Sequence, residues 1–130
     1  MPAPPLTNRE YAYISVGGLG SPEAVTQILG LEPSETWKAG DPGRTGPRKY
    51  WLWRLESGLN DTVELKKHVD TLLLTFELRS DAVQSLWRDY DLTLQCVGYY
   101  PASGHGVHLD RELVRRAANL GLAIDLDFYY

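Results

Sequence analysis

The chain has 130 residues, of which 43% are hydrophobic and 23% are charged, as in an ordinary soluble domain. The formal net charge of −4 argues against a general nucleic-acid binder, which needs a strongly basic surface. No stretch approaches the roughly 18 apolar residues of a membrane span, and the single cysteine excludes an internal disulfide. The opening MPAPPLTNRE has no apolar signal region. We expect a cytoplasmic protein with flexible residues 1–10 and one domain at 11–130.

Along the chain, two-residue alternation predicts strands, and spacings of three and four residues predict helices. The predicted elements in chain order are a strand at 11–16 (YAYISV), a helix at 21–30 (SPEAVTQILG), an aperiodic segment at 31–49, a strand at 50–56 (YWLWRLE), helices after 60 and from about 80, a strand at 91–99 (DLTLQCVGY), a helix at 109–121 and a strand at 122–130.

Residues that favour helix ends mark several of these boundaries. Ser21 and Asp110 can accept hydrogen bonds from the first free backbone N–H groups of a helix, and Gly30 and Gly121 suit the position after the last turn. In the two middle helices the predicted inward residues are Leu65, Val69, Leu72, Leu73, Phe76, Val83, Leu86, Trp87 and Tyr90. His68 falls on the face predicted to be exposed, and we assign it no role.

The order β-α-β, helical linker, β-α-β predicts an α+β two-layer sandwich, ferredoxin-like, with a four-stranded sheet. Because the strands alternate, we expect helices to cover one face of this sheet only. The predicted core face includes Ala12, Ile14, Leu94 and Leu126. The predicted open face gathers Tyr11, Tyr13, Thr93, Gln95, Asp125 and Asp127. For Trp51 and Trp53 the pattern does not decide which of the two sheet faces they occupy.

The segment TWKAGDPGRTGPRKYW at 36–51 carries four basic residues, one acid and three glycines. Cations with free backbone N–H groups suit an anion or an acidic partner, although no Gly-Lys-Ser/Thr sequence leads into a helix as in a P-loop. Asp41 is more simply explained as a turn organiser, and the alternative for the whole segment is a solvated loop anchored by Trp37. The candidate binding residues are Trp37, Lys38, Asp41, Arg44, Arg48, Trp51 and Trp53.

Other potential reactive residues have simpler structural explanations. Asp125 and Asp127 share a strand face and can serve acid–base chemistry or bind a divalent ion, but they lack a third ligand at recognisable spacing, and polar residues on a wet face explain them more simply. His105 and His108, with Asp110 nearby, can bind zinc only if other ligands converge, and Asp110 is already assigned as a helix cap. Cys96 fits a buried structural thiol. We therefore predict no catalytic residues, no metal and no cofactor.

Several blocks resemble the bacterial "domain of unknown function 4279" family. They are YAYISVGG, PEAVTQILGLEPSETWKAGDP, WLWRLESGL, ELKKHVDTLL and GVHLDRELVRRAANLGLAIDLDFY. The most specific block is TWKAGDP, which is similar to the family's Trp-x-x-Gly-Asp segment. The Gly-Pro-Arg sequence before Tyr50 and the doubled C-terminal Tyr depart from the pattern. The resemblance implies one compact α+β domain in a bacterial cytoplasm and brings no catalytic residues to carry over.

The leading functional hypothesis is a non-enzymatic protein-binding protein, of which an immunity-type role is one form. It uses residues 36–54 and the adjoining sheet face to hold a protein partner. The alternative hypothesis is a domain that binds a small molecule or anion in a pocket between the 36–49 loop and the sheet. A third hypothesis is a homodimer formed through the open sheet face, rather than a monomer.

Overall fold

The computed structural model describes residues 7–102 and 104–130 as a mixed α+β fold. The elements in chain order are β1 Arg9–Gly18, α1 Pro22–Leu29, β2 Glu35–Trp37, β3 Pro42–Gly43, β4 Gly46–Pro47, β5 Leu52–Glu56, α2 Leu65–Glu77, α3 Ser80–Ser85, β6 Tyr90–Tyr99, α4 Arg111–Asn119 and β7 Ala123–Tyr129. Of the N-terminal segment predicted to be flexible, residues 1–6 lie outside the described residues. Strand β1 begins at Arg9, earlier than predicted, because Arg9 and Glu10 continue its ladder with β6.

Within the described residues, the main sheet has five strands in the order β2-β5-β1-β6-β7. The long strand β1 lies at its centre and pairs antiparallel with both β5 and β6. Strand β7 pairs parallel with β6, and α4 makes the crossover between them. The last β-α-β unit is therefore parallel. In the first half, the chain passes from α1 to the edge strand β2 and through the β3–β4 hairpin before it reaches β5, which is antiparallel to both β2 and β1.

The four-stranded, ferredoxin-like sheet predicted from the sequence is not confirmed. The fifth strand, β2, lies in the segment that shows no periodicity, and its three residues pair antiparallel with β5. Three residues are too few to display a two-residue period, so sequence reasoning missed this strand. The same segment also contains the two-stranded β3–β4 hairpin, which forms a separate small sheet.

The four helices of the described residues all contribute to the layer on one face of the main sheet, as predicted. Ala12, Ile14 and Leu94 are almost completely buried beneath it. Trp53 lies opposite Val16 across the β1–β5 ladder and is fully buried, so the heavy aromatic side of β5 faces the core. Leu126 was predicted to be in the core but is 45% exposed, because it lies on the edge strand.

The N-termini of α1 and α4 follow the predicted capping pattern. Ser21 Oγ accepts from Ala24 N at 3.1 Å, and an Asp110 carboxylate oxygen accepts from Leu113 N at 2.8 Å. Trp87 was predicted to face inward but is 44% exposed, because α3 ends at Ser85 before reaching it. Within the described ranges, none of the helices is both long enough and apolar enough to cross a membrane.

Candidate functional site

Asp41 organises the turn that starts the β3–β4 hairpin, as the sequence predicts. Its carboxylate accepts a hydrogen bond from Lys38 N at 2.7 Å. Its backbone N–H donates to the Lys38 carbonyl at 3.0 Å, and its carbonyl accepts from Arg48 N at 2.8 Å. Gly40 has a φ of 92°, in the region that favours glycine, and its N–H donates to the Arg48 carbonyl at 2.8 Å. These bonds hold the two strands of the hairpin at a fixed distance.

A cation–π contact attaches this hairpin to the edge of the main sheet. The Arg48 guanidinium carbon lies 3.5 Å from the centre of the Trp37 ring. Trp37 ends β2, opposite Leu52 of β5, on the face that carries no helix. The Arg48 Nε is buried and has no hydrogen-bond partner among the described residues, so the ring face is the main electrostatic compensation that they offer to this part of the side chain. Arg48 thus acts as a structural clamp.

An open groove of about 640 Å³ lies between the hairpin and the sheet edge. Its lining residues are Trp37, Gly43, Arg44, Thr45, Gly46, Pro47, Arg48, Lys49, Tyr50, Trp51 and Leu52. Arg44 and Lys49 are exposed at its rim, and Tyr50 is 79% exposed. The groove therefore combines aromatic and aliphatic walls with solvent-accessible cations.

Lys38 does not contribute a free cation to the groove. Its ammonium lies 2.8 Å from a Glu23 carboxylate oxygen, in a pair that is mostly exposed to solvent. The hydrogen bond to Glu23 raises the pKa of Lys38, and the same contact lowers the pKa of Glu23. The pair connects the start of the hairpin to α1, so Lys38 is already engaged within the fold.

Two tryptophans from the candidate set have different positions. Trp53 is fully buried, and its Nε1 donates to Thr26 Oγ1 at 3.0 Å, so it cannot contact a partner and is removed from the set. Trp51 is half-buried, and its Nε1 donates to the Gly18 carbonyl at 3.0 Å. The Trp51 ring meets Tyr90 edge-on, at 6.1 Å between centroids, and forms a fixed wall of the groove.

The sheet face opposite the helices carries the six residues predicted for it. Register places Tyr13 beside Gln95, which lies beside Asp125. The Arg54 guanidinium lies over the Tyr13 ring at 3.6 Å. Burial raises the pKa of Tyr13, and the nearby Arg54 opposes that rise. Gln95 is itself buried by its neighbours, and its Nε2 donates to Asp127 Oδ2 at 2.7 Å.

His68 is a buried polar residue that the sequence analysis missed. It is fully buried on α2, with Nε2 at 3.1 Å from the Val63 carbonyl and Nδ1 at 2.6 Å from Ser57 Oγ. A carbonyl only accepts, so Nε2 carries a proton, and in the neutral ring Nδ1 then accepts from the Ser57 hydroxyl. The distances match those of a nucleophile and its base, but a fully buried ring cannot reach a substrate. The pair instead fixes the 57–63 loop.

His105, Asp110 and Cys96 each have a structural explanation. The His105 ring stacks on Tyr100 with centroids 3.8 Å apart, and Asp110 caps α4. Burial raises the pKa of the Cys96 thiol to about 12, so it stays protonated in the fold. Across residues 7–102 and 104–130, no three His, Cys, Asp or Glu side chains are grouped so as to hold a metal ion.

Comparison with known proteins places the chain in a family. Neither a curated protein nor a solved structure matches it significantly. The family model described as "Domain of unknown function (DUF4279)" matches residues 9–130, from the start of β1 to the end of the chain. This range includes the TWKAGDP block, which here forms β2 and the Asp41 turn. The protein belongs to the DUF4279 family.

Proposed function

We propose that the protein is a non-enzymatic binding module that holds the acidic surface of a protein partner in the groove beside the β3–β4 hairpin. One observation carries the proposal: Arg44 and Lys49 are exposed at the rim of a groove whose walls include Trp37 and Trp51. Aromatic side chains beside arginine are typical of the residues that dominate binding at protein interfaces.

The charge distribution favours an acidic partner. The chain carries a net charge of −4, yet four basic residues and one acid lie between Thr36 and Trp51. Lys38 is engaged by Glu23, and Arg48 is stacked on Trp37, which leaves Arg44 and Lys49 to meet a partner. Exposed cations at the rim accelerate association with an acidic surface and align it on the apolar walls. An immunity role, with a toxin as the partner, is a narrower form of this proposal.

The test compares charge reversal at the groove with charge reversal elsewhere. The partner is captured from a lysate of the source organism, identified by mass spectrometry, purified, and titrated calorimetrically against three proteins. They are the wild type, the double variant Arg44→Glu/Lys49→Glu, and the matched control Lys67→Glu/Arg111→Glu, whose exposed cations lie on α2 and α4.

We expect the groove variant to bind at least about tenfold more weakly, because two attractive contacts become repulsive. The affinity of the control variant should remain within about twofold of the wild-type affinity. Added salt should weaken the binding of the wild type and of the control, because it screens the exposed cations of the groove, but should not weaken the binding of the groove variant. Equal affinities for the groove variant and the control, with both proteins folded by circular dichroism, would contradict the proposal.

A second candidate function is the binding of a small anion in the same groove. Its volume of about 640 Å³ falls within the range of small-molecule sites. Thermal-shift titrations with phosphate, nucleotides and dicarboxylates test this candidate. Stabilisation of the wild type that is absent in Arg44→Glu/Lys49→Glu would favour it, and no shift with any of these anions would leave the protein partner as the better explanation.

A further inference from the structure

The outer edge of β7 offers backbone hydrogen-bonding groups that no described residue uses. β7 is the last strand of the sheet, and within residues 7–102 and 104–130 only β6 pairs with it. Its seven residues are exposed or half-buried. An edge strand of this kind is a template for another strand unless some feature blocks it.

The hydrogen-bond register identifies which groups point outward. The Tyr100 N–H donates to the Tyr129 carbonyl at 2.8 Å, so Tyr129 turns its main-chain groups towards β6. In a parallel ladder each residue directs both its N–H and its C=O to one neighbour, and the next residue directs them to the other side. The residues that direct these groups away from the sheet are Ile124, Leu126 and Phe128.

The side chains along this edge have an alternating chemical pattern. Asp125 and Asp127 lie on the open face, on either side of Leu126, which lies on the helix-side face and is 45% exposed. One oxygen of Asp127 accepts from Gln95. Among the described residues, neither carboxylate has a Lys or Arg within salt-bridge distance of it. A strand placed beside β7 would therefore meet two carboxylates that have no cationic partner among the described residues, with an apolar side chain between them.

A second copy of the chain is a poor occupant of this edge. In an antiparallel pair of β7 strands centred on Leu126, Asp125 of one copy lies opposite Asp127 of the other. Shifting this pairing by two residues in either direction keeps the open faces of the two copies on the same side of the joined sheet. These shifted registers place Asp125 opposite Asp125 or Asp127 opposite Asp127. Like charges directly opposite each other destabilise a strand pair, and each copy also carries a net charge of −4.

We propose that β7 accepts an added β-strand from a protein partner, in which a basic, an apolar and a basic residue lie opposite Asp125, Leu126 and Asp127. Main-chain bonds to the outward groups provide affinity, and the alternating side chains provide selectivity, as in other cases of strand addition. Opposite charges in directly facing positions stabilise a strand pair, whereas like charges in these positions destabilise it. This surface lies at the opposite edge of the sheet from β2 and the hairpin groove, so it is independent of the function proposed above.

The test uses short labelled peptides as probes. A fluorescein-labelled Thr-Lys-Val-Lys-Val-Lys-Thr peptide is titrated with the protein and followed by fluorescence polarisation, beside a Thr-Glu-Val-Glu-Val-Glu-Thr peptide of the same pattern. Two further versions of the basic peptide carry N-methyl groups on one or the other set of alternate residues. Each version blocks one edge of the peptide strand and leaves its charge unchanged.

We expect the basic peptide to bind at least tenfold more tightly than the acidic one. One N-methylated version should bind at least tenfold more weakly than the unmodified basic peptide, and the other should keep the affinity of the unmodified peptide. The reason is that only one edge of the peptide strand faces β7. On the protein, Leu126→Pro removes an outward N–H that the fold does not use, and Leu126→Ala keeps it. The Pro variant should bind at least tenfold more weakly than the Ala variant.

Three results would overturn the proposal. The first is that the basic peptide does not bind to the folded wild type. The second is equal binding of the two N-methylated peptides, which would indicate charge attraction without strand pairing. The third is equal binding by folded Leu126→Pro and Leu126→Ala. If Leu126→Pro does not fold, the N-methylated peptides still decide the question on the unmodified protein.

Discussion

At the scale of single residues, His68 shows how one buried polar side chain holds a loop. Replacing it in His68→Leu removes the fully buried ring and leaves the Ser57 hydroxyl and the Val63 carbonyl, both in half-buried residues, without that partner. We expect the free energy of unfolding to fall by roughly 1–3 kcal/mol, the usual effect of removing one partner of a buried hydrogen bond. Urea denaturation followed by tryptophan fluorescence measures this change.

The control for this prediction lies one residue away on the same helix. Lys67 is exposed, so Lys67→Leu changes the same element without removing a buried bond and should alter stability by less than about 0.5 kcal/mol. Indistinguishable unfolding midpoints for the two variants would show that the Ser57–His68–Val63 bonds contribute little.

The sequence contained a signal for His68 that the flanking lysines obscured. His68 lies three residues after Leu65 and four before Leu72, in register with the buried face of α2. The turn around Asp41 was predictable because an aspartate bonds to backbone groups close to it in sequence. The stacking of Arg48 on Trp37 was not, since it depends on the path of the chain through the whole hairpin.

At the scale of elements, periodicity predicted the strands that alternate over many residues and missed the short ones. β1, β5, β6 and β7 were all anticipated, whereas β2 and the hairpin strands are too short to show a period. The order of strands in the sheet was also beyond the sequence pattern. A pattern of alternation is the same for a strand that returns antiparallel, as β5 does, and for one that returns parallel.

The docking of α4 onto α2 depends on one arginine. Arg116 donates to both carboxylate oxygens of Glu77, at 2.7 Å from its Nη2 and 3.1 Å from its Nε, and to Asp70 at 3.1 Å. Lysine keeps the charge but cannot reproduce this planar set of contacts. We expect Arg116→Lys to lower the free energy of unfolding by about 1 kcal/mol, as measured by thermal denaturation.

The neighbouring Arg115 provides a matched control. It pairs with Glu112 within the same helix, with both side chains largely exposed, so Arg115→Lys should leave stability nearly unchanged. Equal losses in the two variants would indicate a general effect of lysine in α4, and would count against a specific clamp between the helices.

At the scale of the whole molecule, several ionisable groups in the packed structure hold their protons more tightly than they do in water. Burial raises the pKa of Cys96 from 9.0 to about 12. Burial also raises the pKa values of Tyr100, Tyr11 and Tyr13, and a hydrogen bond with Glu10 adds to the effect at Tyr100. The unfolded chain therefore releases these protons at lower pH than the folded protein.

Alkaline pH should consequently destabilise the fold. The contribution of Cys96 is fully present below its unfolded pKa of about 9 and is lost as pH rises through about 12, because only the unfolded thiol ionises in that interval. Each such group contributes a slope of up to about 1.4 kcal/mol per pH unit.

Urea unfolding at pH 8, 9, 10 and 11 should show a steeper loss of stability for the wild type than for Cys96→Ala. The variant starts from a lower stability because it leaves a small cavity, so the slopes and not the absolute values decide. Parallel curves for the two proteins would show that this thiol titrates alike in both states and that the packing around β6 does not exclude its charge.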